Sequence, residues 1–382
     1  MLWSPSEEFD CCYQAKFTIS IGKPHFMSET VLVTGAFGLV GSATVKRLAA
    51  DGHRVVATDL GTPAQRKAAK ALPVGTQARW VDLTDPVAVN RLVSEVSPAA
   101  IVHLAAVIPP LIYRNAKLAR KVNVDATAAL VRAAARQPAP PRFIQASSNA
   151  VYGPRNPHRC NDVEHANTPP NPYDVYGATK LEAEEQVQSS SLEWVVLRLG
   201  GVFSVELRDM PISFDGLSFE SALPTDGRVH TVDVRDVAAA FAAATTADVG
   251  GEILLVAGDD SHRLRQVEIA PALLGAIGLT GVLNTGRPGN PDRNDDWFVT
   301  DWMDTSRAQE ALAFQDHSWT DMVEEMRANM GWKRFPLRLV RPVAKQFLKR
   351  RAAYRDAPGQ YADPWGVIRA KLGEPRVENP PS

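Results

Sequence analysis

The sequence predicts an α/β fold, with a doubly wound parallel sheet and a smaller C-terminal α/β region. Short β-branched runs alternate with helical stretches from residue 30 to about residue 200, and a glycine-rich turn joins the first run to the first helical stretch. Strands separated by helices are typical of βαβ units, whose strands pair in parallel. Beyond residue 203 the alternation breaks down, which indicates a separate region.

The strands are predicted from short apolar runs, and the helices from apolar residues at helical spacing between glycine or proline stops. The predicted strands cover residues 30–34, 54–58, 78–81, 99–104, 142–146, 194–199, 230–232 and 252–256. The predicted helices cover residues 42–51, 64–71, 86–96, 115–137, 176–189 and 237–246, with further pieces near 264–278 and 305–330.

Length and composition are those of an ordinary globular protein. The 382 residues allow about two domains, and 45% of them are apolar and 22% charged. Apolar runs are too short to cross a bilayer, and a net charge of −1 argues against a globally basic nucleic-acid binder. Three cysteines, Cys11, Cys12 and Cys160, cannot form a disulfide framework, which favours a reducing, cytoplasmic location.

A glycine-rich turn, GAFGLVG, directly follows the first predicted strand and contains Gly35, Gly38 and Gly41. Glycines there permit a tight turn and let the backbone approach a pyrophosphate, which the N–H groups and dipole of the next helix attract. In this strand–turn–helix context they predict a Rossmann-type dinucleotide site. A purely structural turn is the alternative.

Asp59 ends the second predicted strand, 24 residues after Gly35. Its carboxylate can accept hydrogen bonds from the adenosine ribose hydroxyls and would repel a 2′-phosphate, so NAD is favoured over NADP. Arg66 lies nearby in sequence and could compensate for a phosphate, which keeps NADP open. A solvated aspartate at a strand end is the structural alternative.

Two polar groups are expected beside the cofactor. Tyr176 and Lys180 lie four residues apart on a predicted helix, so that phenol and ammonium share one face. A fixed cation lowers the pKa of a tyrosine, which predicts an acid/base that works near neutral pH. Ser148, in the stretch ASSN at the end of the fifth strand, can orient a substrate oxygen, or it can simply cap the strand.

Together these residues resemble the extended short-chain dehydrogenase/reductase family, the NAD-dependent epimerase/dehydratase group, over about residues 30–330. The matching pieces are TGAFGLVG (34–41), DLTD (82–85), HLAA (103–106), NVDAT (123–127), ASSNAVYG (146–153), YGATK (176–180), LRLGGV (197–202) and VHTVDVRDVAAA (229–240). The resemblance implies that Tyr176 is the catalytic acid/base, that Lys180 lowers its pKa and holds the nicotinamide ribose, and that Ser148 orients the substrate.

The resemblance also implies which residues line the two ligands. Those along the cofactor are Gly35, Phe37, Gly38, Leu39, Val40, Gly41, Asp59, Asp82, Leu83, Leu104, Ala105, Ala106, Asn123, Tyr176, Lys180, Leu199, Gly201 and Val202. Those at the substrate are Val107, Ile108, Ser148, Asn149 and Tyr176. Asp236 would be a structural acid leading into the C-terminal domain. No residue is expected to hold a metal, because the histidines lack ligand spacing.

The domain plan follows from these motifs. Residues 1–28 are expected to be a disordered leader, with Met27 as the expected true start. Residues 29–203 form the expected NAD-binding Rossmann domain, to which residues 228–257 contribute, and residues 204–330 form a smaller substrate-binding region. Residues 331–382 are expected to be a basic and then Pro-rich tail, poorly ordered from Ala357 onward.

Departures from the family's pattern narrow the expected substrate. The family's dehydratases follow their Ser/Thr with Asp-Glu, whereas Asn149 and Ala150 follow Ser148 here, which argues against dehydration. Arg198 and Val229 are only 31 positions apart, which is too short for the usual nucleotide-binding insert of members that act on nucleotide sugars. The GGVFSV stretch after Leu199 also departs from the family's pattern and leaves the nicotinamide pocket less defined.

The stretch VIPPLIY, residues 107–113, follows the fourth strand and is apolar. In the family this loop borders the substrate, so an apolar, sterol-like alcohol is expected; core packing beneath the loop is the alternative.

The C-terminal end differs in charge, because nine Lys or Arg and no acid lie between Lys333 and Arg355. Val343, Phe347 and Tyr354 could line one helical face, interrupted by Arg350 and Arg351, and such a segment can lie on an anionic membrane. A solvated segment that packs on the domain is the alternative.

The leading prediction is an NAD-dependent oxidoreductase that transfers hydride between a secondary alcohol or ketone and nicotinamide. The alternatives are an NAD-dependent sugar or nucleotide-sugar epimerase, and a non-catalytic NAD-binding scaffold. The resemblance implies a homodimer through the helices over 115–137 and 176–189.

Overall fold

A computed structural model describes residues 29–206, 216, 219–282, 286–355 and 358–376; the predicted leader, residues 1–28, lies outside the described residues. Seven strands form one parallel sheet in the order β3-β2-β1-β4-β5-β6-β9. They are β1 Thr30–Thr34, β2 Arg54–Asp59, β3 Thr76–Trp80, β4 Ala100–His103, β5 Arg142–Ser148, β6 Trp194–Leu199 and β9 Glu252–Val256. The predicted doubly wound α/β class is confirmed.

Helices cover both faces of this sheet, which is why its central strands are apolar along their whole length. In β1, Val31 and Val33 face one core cluster, whereas Leu32 between them faces the other. The helices up to β9 are α1 Leu39–Ala50, α2 Pro63–Ala68, α3 Pro86–Val96, α4 Ala116–Arg120, α5 Ala126–Ala135, α6 Val175–Gln188 and α7 Val234–Ala244.

Most predicted boundaries lie within three residues of the observed ones, and the differences have local causes. The expected helix over 115–137 is divided by a π-helical turn, Lys121–Asp125, between α4 and α5. Helices α6 and α7 begin earlier than expected because Asp174 and Asp233 cap them with side-chain hydrogen bonds to backbone N–H groups.

A second, three-stranded sheet lies beyond β6. It pairs β8 Arg228–Asp233 in parallel with β7 Gly201–Phe203 and antiparallel with β10 Arg263–Arg265. Of the two strands expected to extend the Rossmann domain, β9 joins the large sheet and β8 belongs to this small one. The helices that follow are α8 Gln266–Ala276, α9 Ser306–Leu312 and α10 Trp319–Met330.

The C-terminal end contains α11 Arg334–Leu339, α12 Arg341–Arg351 and α13 Pro364–Lys371. The expectation of poor order from Ala357 is wrong for residues 358–376, because α13 buries Trp365 and Ile368. The indole Nε1 of Trp365 donates to the Trp297 carbonyl at 3.1 Å, and the Val175 N–H donates to the Pro375 carbonyl at 2.8 Å. Among the described residues, no helix has the length and apolar character to cross a membrane.

Candidate active site

The carboxyl ends of β1, β4 and β5 meet at one edge of the sheet, where the glycine turn also lies. Gly35 has φ +64°, and a Cβ on it would lie 2.7 Å from the amide nitrogen of Ala105. A Cβ on Gly41 would collide with the Gly35 carbonyl oxygen. Both glycines are therefore required by the fold itself, because they let the turn pass close to the loop after β4.

Gly38 differs from these two, and it fits a pyrophosphate. Its φ of −76° suits any residue, and the nearest atom to an added Cβ is the Gly35 oxygen at 3.4 Å. Gly38 is the N-cap of α1, and no side chain among the described residues caps this helix end. The uncapped N–H groups and the helix dipole fit an anionic group here, and Gly38 leaves room for its close approach.

Asp59 ends β2 beside this turn, as predicted. Its carboxylate accepts hydrogen bonds from the Phe37 N–H at 3.3 Å and the Leu60 N–H at 2.9 Å, and it remains partly exposed. The Arg66 guanidinium lies 5.0 Å from the Trp80 ring, and its Nε donates to the Gly61 carbonyl at 2.8 Å. The Asp59 carboxylate can thus accept hydrogen bonds from ribose hydroxyls, whereas Arg66 is held by its contact with Trp80 and by its hydrogen bond to the backbone.

Trp80, at the end of β3, was missed by the sequence analysis although it is the aromatic residue closest to Asp59 in the sheet register. Its ring packs against that of Phe37 with centroids 5.2 Å apart, so an aromatic pair lies beside Asp59. Asp82, which is exposed, accepts hydrogen bonds from Thr84 and shapes its own loop, whereas Leu83 is buried in the core.

The loop after β4 is held from below by a buried histidine. His103 joins two hydroxyls, with Nδ1 2.6 Å from Thr34 Oγ1 and Nε2 2.9 Å from Thr127 Oγ1. Thr34 Oγ1 in turn accepts the N–H groups of Leu104 and Ala105. Burial, and then the charge of Lys180, lower the pKa of His103 to about 3, so it is a neutral structural residue.

Asn123 fixes the next part of the same loop. Its Oδ1 accepts the Val107 N–H at 2.7 Å, and its Nδ2 donates to the Val107 carbonyl at 3.0 Å and to Thr179 Oγ1 at 3.1 Å. Because Asn123 lies in the π-helical turn, the irregularity between α4 and α5 places this amide against the loop. Asn123 therefore positions Val107, at the expected border of the substrate, and Ala106 precedes it in the same loop.

The three predicted catalytic side chains lie together at the end of β5 and the start of α6. The Ser148 hydroxyl lies near the Tyr176 phenol, close enough to act on the pKa of the phenol. Lys180, one turn further along α6, places Nζ 5.9 Å from the centre of the Tyr176 ring and donates to the Ala146 carbonyl at 2.9 Å. The Ser148 hydroxyl also accepts the Ala150 N–H at 3.2 Å, and the neighbouring Asn149 is buried.

The predicted lowering of the tyrosine pKa is wrong. Burial raises the pKa of Tyr176 to about 12, although the nearby Ser148 hydroxyl acts in the opposite direction. Burial also lowers the pKa of Lys180 to about 8. Near neutral pH, Tyr176 therefore holds its proton, and Lys180 is largely charged.

A second tyrosine–carboxylate pair, missed from the sequence, supports this site. The Tyr113 hydroxyl donates to Asp174 at 2.6 Å, and the same carboxylate caps α6 by accepting the Gly177 N–H at 2.9 Å. Burial raises the pKa of Asp174 to about 6 against these hydrogen bonds. Tyr113 thereby links the loop after β4 to the helix that carries Tyr176.

The expected apolar loop is divided between surface and core. Ile108 and Leu111 are exposed, whereas Ile112 and Tyr113 are buried and partly bear out the core-packing alternative. Tyr176 packs into the same apolar cluster as these buried residues, which also includes Val107, Tyr173, Phe219, Phe298, Val299 and Trp365. Tyr176 thus packs against an apolar and aromatic wall, part of which α13 supplies.

The remaining predicted cofactor residues lie at the first helix and at the end of β6. Leu39 and Val40 form the first turn of α1. Leu199 packs in the core beneath the sheet edge, and Gly201 and Val202 begin β7 with partial exposure. Gly200 must be glycine, because a Cβ there would collide with the His230 carbonyl oxygen.

A family model described as "NAD dependent epimerase/dehydratase family" matches residues 31–257. The chain belongs to this family. The predicted family is therefore confirmed, and so is the predicted cofactor, NAD, which the description of the family names. The glycine turn, the uncapped α1 and Asp59 fit that cofactor.

The chain is also similar to known relatives and to solved structures. It is 34% identical to the bovine (Bos taurus) methionine adenosyltransferase 2 subunit beta over 200 residues, which is 51% of this chain and 54% of the relative. It is 35% identical to UDP-glucose 4-epimerase 4 of Oryza sativa subsp. japonica over 189 residues, or 45% of this chain and 48% of the relative. The chain thus spans about half the length of these relatives.

The fold matches that of Thermus thermophilus UDP-glucose 4-epimerase, whose structure contains NAD. The TM-score is 0.64 at 23% identity, over 79% of this chain and 98% of the epimerase.

Proposed function

We propose that the protein is an NAD-dependent oxidoreductase that interconverts a secondary alcohol and its ketone. The observation that carries this proposal is the proximity of Ser148, Tyr176 and Lys180 beside an apolar cluster, with Lys180 Nζ 5.9 Å from the centre of the Tyr176 ring. NAD, when bound, supplies the hydride acceptor or donor. Ser148 would hold the substrate oxygen, and Tyr176 would exchange the hydroxyl proton.

The protonation states support these roles. With a pKa of about 12, Tyr176 is protonated near neutral pH and can donate a proton to a developing alkoxide during ketone reduction. The Lys180 ammonium, anchored on the Ala146 carbonyl, supplies positive charge on the same side of the site. Tyr113 and Asp174 are assigned as positioning residues, because together they fix the first turn of α6, which carries Tyr176.

An apolar, sterol-like substrate is favoured over a sugar by the wall around Tyr176. Val107, Phe219, Phe298 and Trp365 offer dispersion contacts and few hydrogen-bond partners. A sugar would need partners for several hydroxyl groups, since a buried hydroxyl without a hydrogen bond is costly.

A nucleotide-sugar epimerase is the second candidate, and the likeness to the rice UDP-glucose 4-epimerase 4 favours it. It would use Tyr176 and Ser148 in the same way, but it would reduce the ketone again on its other face. A non-catalytic scaffold is the third candidate. The bovine relative, whose name is that of an enzyme subunit, favours it, whereas the intact set of Ser148, Tyr176 and Lys180 weighs against it.

The experiment begins with the cofactor. Purified protein is denatured, any released nucleotide is identified by mass, and the stripped protein is titrated with NAD and with NADP. Protein that purifies empty and binds NAD reversibly supports the dehydrogenase, whereas one tightly held NAD per chain supports the epimerase. Binding of NADP alone would contradict the role given to Asp59.

Turnover is then measured on apolar secondary alcohols and ketones and on UDP-sugars, with Tyr176→Phe as the matched control. Turnover of apolar alcohols that is lost in Tyr176→Phe is the expected result. Turnover of UDP-sugars alone refutes the apolar substrate. No turnover of any substrate, together with unchanged cellular function of Tyr176→Phe, favours the scaffold.

A homodimer through α4, α5 and α6 remains a proposal, as does the cytoplasmic location that the cysteines favour. Support for the dimer comes from Leu118 on α4, whose side chain is 45% exposed beside an Arg120–Glu182 ion pair that joins α4 to α6. Light scattering on wild type and Leu118→Asp tests it: a dimer that becomes a monomer is expected, and a monomeric wild type refutes it.

A further inference from the structure

A stripe of exposed apolar side chains runs along α11, α12 and the short turn before them. It consists of Trp332, Phe335, Leu339, Val343 and Phe347, with spacings of three, four, four and four residues. Their exposed fractions are 73%, 51%, 81%, 73% and 37%. Residues four apart share one face of a helix, which pairs Phe335 with Leu339 on α11 and Val343 with Phe347 on α12. These four side chains and Trp332 are called the "apolar stripe".

Positive charge surrounds the apolar stripe. The nine Lys and Arg between Lys333 and Arg355, with no acid among them, include the exposed Arg338, Lys345 and Lys349. The guanidinium groups of Arg334 and Arg338 lie 5.2 and 5.1 Å from the ring of Phe335. The surface therefore combines protruding apolar side chains with a high density of cations.

The segment that carries the stripe is attached to the rest of the protein at both ends, which fixes its position on the surface. At its start, Met330 packs with Ile277 and Met326 in a buried cluster. At its end, the Ala353 N–H donates to Ser221 Oγ at 3.2 Å, and the Tyr354 hydroxyl donates to the Ala222 carbonyl at 2.6 Å. Tyr354 thus faces the protein, which corrects the expectation that it continues the apolar face with Val343 and Phe347.

We propose that this surface docks the protein on an anionic lipid bilayer. Apolar side chains on a cationic helix enter the interface between headgroups and acyl chains, while the cations contact anionic headgroups. A nucleic acid would engage the cations but would leave Leu339 and Val343 in water. A second copy would bring two sets of nine cations together, and their repulsion opposes that pairing.

This proposal does not depend on the proposed reaction. The two proposals are connected in one respect. Ser221 and Ala222, which hold the end of the basic segment, come shortly after Phe219 in the sequence, and Phe219 belongs to the apolar wall of the candidate active site. Docking would hold that wall near a bilayer, where apolar substrates partition.

The test uses the full-length protein and large vesicles of phosphatidylcholine, with or without 30% phosphatidylserine, in a sedimentation assay. We expect binding to the anionic vesicles to exceed binding to the neutral ones at least tenfold and to weaken as salt rises. Arg338→Gln/Lys345→Gln/Lys349→Gln is expected to lose at least tenfold on anionic vesicles. Leu339→Ser/Val343→Ser is expected to lose at least tenfold as well.

Val74→Ser/Val87→Ser is the matched control, because these two valines are 101% and 69% exposed but lie far from the stripe in sequence. It is expected to bind like wild type. Bromine-labelled acyl chains should quench tryptophan fluorescence of wild type more than that of Trp332→Phe, which places Trp332 in the bilayer.

Three outcomes overturn the proposal. The first is the absence of sedimentation with anionic vesicles, and the second is equal binding by the stripe variants and the control. The third is a wild-type oligomer without lipid that Leu339→Ser/Val343→Ser dissociates, since a second copy would then cover the stripe. If the protein does not sediment with anionic vesicles but does bind duplex DNA, the proposal is likewise refuted, and the cations are then explained by nucleic-acid binding.

Discussion

Substitutions of Gly38 and Gly35, in the turn before α1, should distinguish what the fold requires from what cofactor binding requires. Gly38→Ala meets no closer atom than the Gly35 oxygen at 3.4 Å, and φ of −76° is open to alanine. Replacing the N-cap glycine costs at most about 1 kcal/mol, and the smaller entropy of the unfolded chain offsets part of it. The free energy of unfolding should therefore stay within about 1 kcal/mol of wild type.

NAD affinity should nevertheless fall in Gly38→Ala, because its methyl group occupies the space through which a pyrophosphate approaches α1. We expect at least a tenfold rise in Kd, which corresponds to about 1.4 kcal/mol.

Gly35→Ala provides the contrast. Its φ of +64° costs an L-residue about 1–2 kcal/mol, and its Cβ would lie 2.7 Å from the Ala105 nitrogen. The free energy of unfolding should thus fall by at least about 2 kcal/mol.

The assays are urea unfolding of the stripped proteins and calorimetric titration with NAD. If Gly38→Ala binds NAD as tightly as wild type, the proposed pyrophosphate site at the N-terminus of α1 is refuted. Wild-type stability in Gly35→Ala would refute the close approach to the loop after β4.

Three further changes test the site. Tyr176→Phe should lower kcat about 10²–10⁴-fold without changing the Kd for NAD. If the single-turnover rate falls only slightly, Tyr176 does not transfer the proton. Because the pKa of buried His103 is about 3 instead of 6.5, the free energy of unfolding should fall as pH decreases from 6.5 toward 3, by up to about 5 kcal/mol. Urea unfolding should show a flatter pH slope in His103→Gln, and an unchanged slope contradicts this. Trp365→Ala should cost about 3–5 kcal/mol, whereas an unchanged urea midpoint would mean that α13 does not close the apolar wall.

The large sheet could be predicted from the sequence because its strands and helices carry local signals. Each strand buried on both faces is a short apolar run, and most of the helices begin at glycine, proline or a capping side chain, although α5 does not. The positions of the candidate site residues have similar local signals: Gly35, Asp59 and Ser148 lie at strand ends, and Tyr176 and Lys180 lie in the first turns of α6. Their roles remain predictions.

The contacts that connect distant segments could not be predicted. Tyr113 and Asp174 are 61 residues apart, and Trp365 and Trp297 are 68 apart. The α13 segment was expected to be poorly ordered because prolines and polar residues dominate it. Its order depends on Trp365 and Ile368, which fill a site that other parts of the chain build.

The error about Tyr176 has a general cause. The four-residue spacing to Lys180 predicts attraction between an ammonium and a phenolate, and that attraction requires both groups to be charged at the same pH. With a pKa of about 8, Lys180 loses its proton before Tyr176, with a pKa of about 12, begins to titrate. The same burial causes both shifts, and desolvation of this kind reaches several pKa units. Near neutral pH, Tyr176 is therefore a proton donor, the form that ketone reduction requires, whereas alcohol oxidation requires its phenolate.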